Sequence, residues 1–146
     1  MQTSYPIISA DSHITEPAHT YVDYIDSKWK DKAPYMTDEE GAGALFIVDG
    51  MSKPIPMGLV AAAGKKPEEI KVFGVHFDDM HRSGWDSTAR LADQDRDGVA
   101  CEVIYPTVGM VLCNHTDFDY KQACFNAYNR WLAEYCSEAP DRLLGC

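Results

Sequence analysis

The sequence predicts an α/β protein with a parallel sheet, and three observations support this class. The chain opens with a short apolar run at Ile7 and Ile8, which is typical of a buried strand. A helical pattern at residues 86–97 leads directly into a strand pattern at residues 99–105. A longer helical pattern at residues 119–139 precedes the apolar start of a third strand. Strands that alternate with helices in this order favour parallel pairing.

The composition indicates one soluble domain. The chain has 146 residues, 45% of them apolar, and a net charge of −10. This acidity opposes binding to nucleic acid or to anionic membranes, so we expect a small-molecule substrate as the partner, and a homo-oligomer stays open. Residues 1–6 lack the positive charge and apolar run of a signal peptide, and no segment approaches a membrane span. We therefore expect a cytoplasmic protein.

The cysteines predict neither a disulfide framework nor a thiolate metal site. They are five in number, widely spaced, and contain no C-x-x-C pair. Reduced thiols buried as small apolar groups are the expected state, and a Cys–His nucleophile pair stays open. The five are Cys101, Cys113, Cys124, Cys136 and Cys146.

The first half of the chain has weaker signals for regular structure. Apolar residues at helical spacing predict a short amphipathic helix within residues 18–32. Residues 44–48 read as a strand, closed by the turn-forming pair Asp49-Gly50. Residues 52–59 would be the return strand, weakened by two prolines. Residues 61–86 show no clear helical or strand pattern.

The second half has clear start and stop signals. Asp86 or Ser87 can cap a helix that ends near Asp97, with Gly98 as the left-handed residue just beyond it. The strand at residues 99–105 is stopped by Pro106. Asp119 followed by Gln122 resembles a capping box for the long helix, and Pro140 ends that helix.

The end of the first strand carries the best candidates for a metal site. Asp11 and His13 are two residues apart in a strand, so their side chains point to the same side. That separation lets a carboxylate oxygen and an imidazole nitrogen reach one ion at about 2.0 to 2.2 Å each. Glu16 follows within three residues. Spacing alone leaves open that Asp11 and Glu16 are ordinary loop carboxylates and His13 is a turn residue.

Other motifs carry less weight. The run from Asp93 to Gly98 matches half of a calcium loop, but its twelfth position is Ile104 and a strand follows, so a capped helix end is expected. His76 and His81 are five residues apart, which aligns on neither a helix face nor a strand face.

Two residues near the second strand are candidate substrate contacts. His115 follows that strand, in the kind of connection that contributes to sites in barrels, and Tyr105 ends the strand itself. His19, two residues beyond Pro17, is near enough in sequence to support the site.

Three blocks of the sequence resemble a known family. Residues 10–17 (ADSHITEP), residues 89–107, and the pair of segments 127–135 and 140–143 are similar to the first three strand regions of the amidohydrolase-related branch of the amidohydrolase superfamily. This branch includes the aminocarboxymuconate-semialdehyde and resorcylate decarboxylases. The blocks total 40 of the 146 residues and occur in the family's order.

The resemblance implies a (β/α)₈ TIM barrel with a metal at the carboxyl ends of its strands. Such a barrel needs about 250 residues. Residues 1–146 would thus supply the N-terminal part of one metal-dependent hydrolase domain, with a long insertion at about residues 27–85 and an apparent truncation in the third strand. The resemblance implies that Asp11 and His13 are metal ligands and that Glu16 assists them. The family usually has histidine at the position of Asp11.

The implied activity is that of a metal-dependent hydrolase on a small, carboxylated or aromatic substrate, with one Zn²⁺ or Mn²⁺ ion as cofactor. The alternative on the same fold is a non-oxidative decarboxylase, and a second alternative is a small α/β binding module without catalysis. The catalytic acid or base is unknown, because the family's later ligands have no counterpart in residues 1–146. We expect the 146 residues alone to be inactive.

Overall fold

The computed structural model describes residues 5–146, so residues 1–4 of the N-terminal segment tested above for a targeting signal lie outside it. Short 3₁₀ helices occur in the long connection after the first strand. The main elements, in chain order, are β1 (Ile7–His13), α1 (His19–Val22), β2 (Tyr35–Glu39), β3 (Gly43–Ile47), β4 (Ile55–Pro56), α2 (Met57–Val60), α3 (Ser87–Asp97), β5 (Val99–Tyr105), α4 (Val108–Leu112), α5 (Phe118–Cys136) and β6 (Leu143–Gly145).

The strands form two sheets. β1, β5 and β6 make a parallel sheet in the order β1-β5-β6, and β2, β3 and β4 make a separate antiparallel sheet. The predicted α/β class with a parallel sheet is confirmed. Each crossover within the parallel sheet contains a helix, as parallel connections require.

The two faces of the parallel sheet differ in how they are covered. Ile104 and Leu143 are buried beneath the helices, whereas Tyr105 and Leu144, one residue further along their strands, are 36% and 41% exposed. Successive side chains of a strand alternate between faces, so the helices cover one face and leave the other open. His13 is paired in register with Tyr105, which places it on the open face.

Helix α3 follows its sequence signals closely. The carboxylate of Asp86 accepts a hydrogen bond from the Ala89 N–H at 2.9 Å, which satisfies one of the free N–H groups at the start of the helix. Gly98 ends the helix with φ of +72°, a conformation that costs glycine little. The predicted helix and the strand after it are both confirmed.

The cap of helix α5 lies two residues before the predicted one. Its cap is Asp117, whose carboxylate accepts from the Tyr120 N–H at 3.0 Å, and not Asp119. The helix ends at Cys136, three residues before the predicted end. The short helix α4 was not predicted, because its five residues are too few to show a period.

The connection between β1 and α3 is more broken than predicted. The helix expected within residues 18–32 is interrupted where Asp26 becomes extended, leaving α1 and a 3₁₀ turn at Ser27–Lys32. The strand at residues 44–48 is confirmed as β3. Its return partner is reduced to Ile55–Pro56, because proline has no N–H for the ladder, and β3 also pairs with the unpredicted β2.

Among residues 5–146, no helix is both long enough and apolar enough to cross a lipid bilayer.

The cap of α3 provides a test of this architecture. The Ala89 N–H, with help from the Arg82 guanidinium, holds the pKa of Asp86 below its ordinary value of 3.8. We expect Asp86→Ala to lower the free energy of unfolding by about 1 kcal/mol at pH 7. Because the folded-state pKa is depressed, the contribution of the charged group is present above pH 3.8 and is lost as the pH falls through the folded-state pKa.

Urea denaturation of the wild type, Asp86→Ala and Asp86→Asn between pH 7 and pH 2.5 measures this effect. Asp86→Asn is the matched control, since its amide oxygen keeps the cap but cannot titrate. A wild type and Asp86→Ala that differ by the same amount at every pH would contradict the assignment.

Candidate metal centre

Asp11 and His13 lie together at the carboxyl end of β1. The His13 Nε2 is 3.4 Å from the Asp11 Oδ1, as their shared side of the strand predicts. The Asp11 side chain is 82% exposed and the His13 side chain 37% exposed, so both are open to solvent. The two donor atoms therefore face an accessible space beyond the strand end.

The orientation of His13 is set by the neighbouring strand. Its Nδ1 lies 2.9 Å from the carbonyl oxygen of Pro106, the residue that follows β5. A carbonyl can only accept, so Nδ1 carries the proton and donates it. In the neutral ring, Nε2 then carries the free lone pair, which is the form that binds a metal.

The separation of the two donors fits a shared divalent ion. Two ligands at about 2.1 Å from a tetrahedral ion are about 3.4 Å apart. That value matches the distance between Asp11 Oδ1 and His13 Nε2. Two ligands are fewer than a structural or catalytic ion requires. Within residues 5–146, no group of three or more His, Cys, Asp or Glu side chains could hold a metal ion.

Tyr105 is the aromatic neighbour of this pair. It ends β5 directly beside His13, and the centres of the two rings are 6.0 Å apart with a 38° angle between their planes. The tyrosine is 36% exposed on the open face. A ring in this position can pack against an aromatic or apolar part of a ligand held by Asp11 and His13.

Arg90 supports the site from the covered face. Its guanidinium donates to the His13 carbonyl oxygen at 2.6 Å, to the Glu102 carboxylate at 2.7 Å and to the Ser83 carbonyl oxygen at 2.9 Å. The Arg90 side chain is 8% exposed and the Glu102 side chain 16% exposed, so water competes weakly for these bonds. One side chain thus ties α3, β5 and the loop before α3 to the end of β1. The sequence alone does not indicate this role of Arg90, because its partners on β1 and β5 are brought together only by the fold.

Glu16 does not join Asp11 and His13. It is fully buried, and its carboxylate accepts hydrogen bonds at 3.0 Å from the N–H groups of Thr107, Val108 and Gly109. Burial raises the pKa of Glu16, and these backbone donors oppose that rise. Its oxygens are engaged by the backbone, so the structure removes Glu16 from the ligand set that the sequence suggested.

His115 also serves the fold. Its Nδ1 accepts from the Asp117 N–H at 3.1 Å, so Nε2 carries the proton and donates to the Asp49 carbonyl oxygen at 2.8 Å. The ring packs against Tyr120, with ring centres 4.7 Å apart. Both nitrogens are engaged, and His115 therefore links the start of α5 to the turn after β3. The proposed site therefore does not include His115.

The remaining histidines near carboxylates form separate pairs. His76 contacts Asp38 at 2.6 Å, and His81 contacts Asp93 at 2.7 Å. Asp93 lies inside α3, so the run up to Gly98 is a capped helix end, as expected, rather than a calcium loop. The five cysteines are unpaired, and burial raises the pKa of Cys124 to about 11, which keeps it a neutral thiol.

A cleft of about 590 Å³ lies between β1 and α3. Its lining includes Ser12, Arg90 and Glu102, together with the end of α2. Ser12 is paired in register with the buried Ile104, so most of this cleft belongs to the covered face. His13 also lines this cleft, so the cleft adjoins the strand end that carries Asp11 and His13.

Comparison with known proteins places the fold. No protein-family model matches the chain, and no curated protein matches it. Among solved structures, the chain is similar to the crystal structure of an amidohydrolase from Mycobacterium avium subsp. paratuberculosis K-10, with a TM-score of 0.67 and 20% sequence identity. The match covers 99% of this chain and 42% of that chain, so this chain spans less than half the length of its structural neighbour.

This likeness shows that the chain shares the fold of the matched part of that amidohydrolase. It does not distinguish the branch that contains the decarboxylases. The described residues form a three-stranded parallel sheet, so the closed (β/α)₈ barrel and its truncation in the third strand stay predictions.

Arg90 provides the test of how the site is supported. We expect Arg90→Met to lower the free energy of unfolding by about 3 kcal/mol, because it leaves the Glu102 carboxylate, which is largely shielded from water, without its guanidinium partner. Chemical denaturation measures the loss. Adding Glu102→Gln to that variant should restore part of the stability, since the stranded charge is then gone.

Arg96→Met, on the exposed side of the same helix, is the matched control and should change stability little. If Arg90→Met and Arg96→Met have the same free energy of unfolding, Arg90 does not support the strand ends as described.

Proposed function

We propose that this chain belongs to a metal-dependent hydrolase of the amidohydrolase superfamily and that Asp11 and His13 supply two ligands of a divalent ion, Zn²⁺ or Mn²⁺. The observation that carries the proposal is the 3.4 Å separation of Asp11 Oδ1 and His13 Nε2 on the open face of a parallel sheet. The carboxyl ends of parallel strands are where enzymes of α/β architecture place their chemistry. The fold of the amidohydrolase neighbour supports this choice of class.

The residues present have distinct parts in this proposal. Asp11 contributes negative charge, and His13 contributes a neutral nitrogen whose ring is held by the Pro106 carbonyl oxygen. Tyr105 offers an aromatic wall to a small, aromatic or carboxylated substrate. When bound, a divalent ion supplies a Lewis acid that activates water or polarises a substrate oxygen. The proposal requires further ligands and a catalytic acid or base in addition to these two side chains.

Metal content tests the ligand assignment. In the full protein, we expect Asp11→Ala and His13→Ala each to weaken binding of Zn²⁺ or Mn²⁺ by more than the roughly 10- to 100-fold that loss of an outer hydrogen-bond partner costs. Elemental analysis of the purified protein and titration calorimetry with each metal measure the change.

His115→Ala is the matched control, because it removes an exposed histidine from another connection of the same chain. Its metal content should equal that of the wild type. Unchanged metal content in both Asp11→Ala and His13→Ala would sink the proposal and leave the non-catalytic binding module as the better account.

Product analysis separates the two reactions that this site could perform. For a hydrolase, we expect ¹⁸O from labelled water in the product and no CO₂ release from carboxylated aromatic substrates. We also expect Tyr105→Ala to raise KM more than it lowers kcat, because the ring touches the substrate and not the reacting bond. Release of CO₂ without incorporation of ¹⁸O would replace the hydrolase with the decarboxylase. Tyr5→Ala, an exposed tyrosine before β1, is the control.

A further inference from the structure

The buried carboxylate of Glu16 holds the segment that orients His13. Glu16 lies three residues after His13 and is fully buried. Its oxygens accept from three successive N–H groups, those of Thr107, Val108 and Gly109, all at 3.0 Å. Three donors on one carboxylate leave this loop little freedom to shift as a unit.

Further bonds join the same two segments. The Thr107 hydroxyl donates to the Ile14 carbonyl oxygen at 2.6 Å, and the Ile14 N–H donates to the Tyr105 carbonyl oxygen at 3.0 Å. Pro106 lies between Tyr105 and Thr107, which these bonds anchor, and it has no N–H of its own. Its carbonyl oxygen is therefore fixed from both sides, and this oxygen is the acceptor for His13 Nδ1.

A carboxylate suits this position better than its neutral analogue. Glutamine has nearly the same shape, but it offers one acceptor oxygen and replaces the other with an NH₂ donor. That donor would face backbone N–H groups that are themselves donors. Glu16→Gln therefore disturbs the loop at 106–109 while it keeps the volume of the buried side chain.

We propose that Glu16 is a positioning residue for His13: by anchoring the backbone at 107–109 it holds the Pro106 carbonyl oxygen against Nδ1 and so presents Nε2 beside Asp11. The inference rests on the proposed function, in which His13 Nε2 is a metal ligand. In this role, the motif residue that the sequence predicts as a ligand acts on the ion through His13. Glu16 acts through the backbone, because its oxygens accept from the N–H groups of Thr107, Val108 and Gly109.

The tautomer of His13 in the metal-free full protein is the direct readout. Long-range ¹H–¹⁵N correlation spectra distinguish a proton on Nδ1 from one on Nε2. We expect the wild type to show the Nδ1–H form and Glu16→Gln to show a mixture of both forms. Zn²⁺ affinity, measured by calorimetry, should fall about 10- to 100-fold in Glu16→Gln, as for other outer partners of a metal ligand.

A second variant tests the same link without changing the carboxylate. A Cβ on Gly109 would lie 2.7 Å from the Pro106 Cβ, so Gly109→Ala must push Pro106 away. We expect the same loss of the Nδ1–H form. If Glu16→Gln does not fold, an unchanged tautomer in Gly109→Ala is enough to overturn the proposal. Leu132→Ala, which opens the core beside Gly145 on the far side of the sheet, controls for general destabilisation and should leave the tautomer unchanged.

The outcomes separate this inference from the function on which it rests. If Glu16→Gln and Gly109→Ala both keep the pure Nδ1–H form, Glu16 does not position His13. If Leu132→Ala alters the tautomer equally, the effect is general and the inference is also wrong. Failure of the proposed function would appear elsewhere, as unchanged metal content in Asp11→Ala and His13→Ala.

Discussion

Buried backbone groups must find hydrogen-bond partners, and this requirement organises the carboxyl end of the parallel sheet. Where β1 and β5 end, the ladder stops and leaves N–H and C=O groups without strand partners. Glu16 supplies acceptors for the N–H groups that follow β5, and Arg90 supplies donors for the carbonyl oxygen that ends β1. Two charged side chains thus complete what the ladder begins. The exposed pair of Asp11 and His13 stands on this polar framework, which gives two solvent-open side chains a defined geometry.

Local chemistry explains which parts of the fold could be predicted from the sequence. Helix α3 was predicted within a residue because a capping aspartate and a left-handed glycine act on their immediate neighbours. The cap of α5 was misplaced because Asp117 and Asp119 are chemically equivalent in the sequence, and only the backbone conformation distinguishes them. β2 was missed for a different reason: its side chains are mostly exposed, so pairing with β3 and not burial makes it a strand.

The site divides in the same way. Alternation within one strand was enough to bring Asp11 and His13 together, because that relation is local. The parts played by Glu16 and His115 depend on residues far away in the sequence, and no period or spacing encodes such partners. A carboxylate three residues from a candidate ligand looks like another ligand until the fold buries it. Proximity in sequence is therefore a poor guide to which motif residues share an ion.

The same long-range bonds have a kinetic cost. Glu16 and Gly109 are 93 residues apart, and His13 and Pro106 are also separated by 93 residues. By contrast, α5 and β6 are consecutive elements that meet across a short turn. Closing a loop of 93 residues, as these bonds require, costs about 4 kcal/mol in chain entropy before any contact compensates for it. Contacts of this kind form more slowly than local ones, so the strand that bears Asp11 and His13 is the part of the sheet whose docking the chain must wait for.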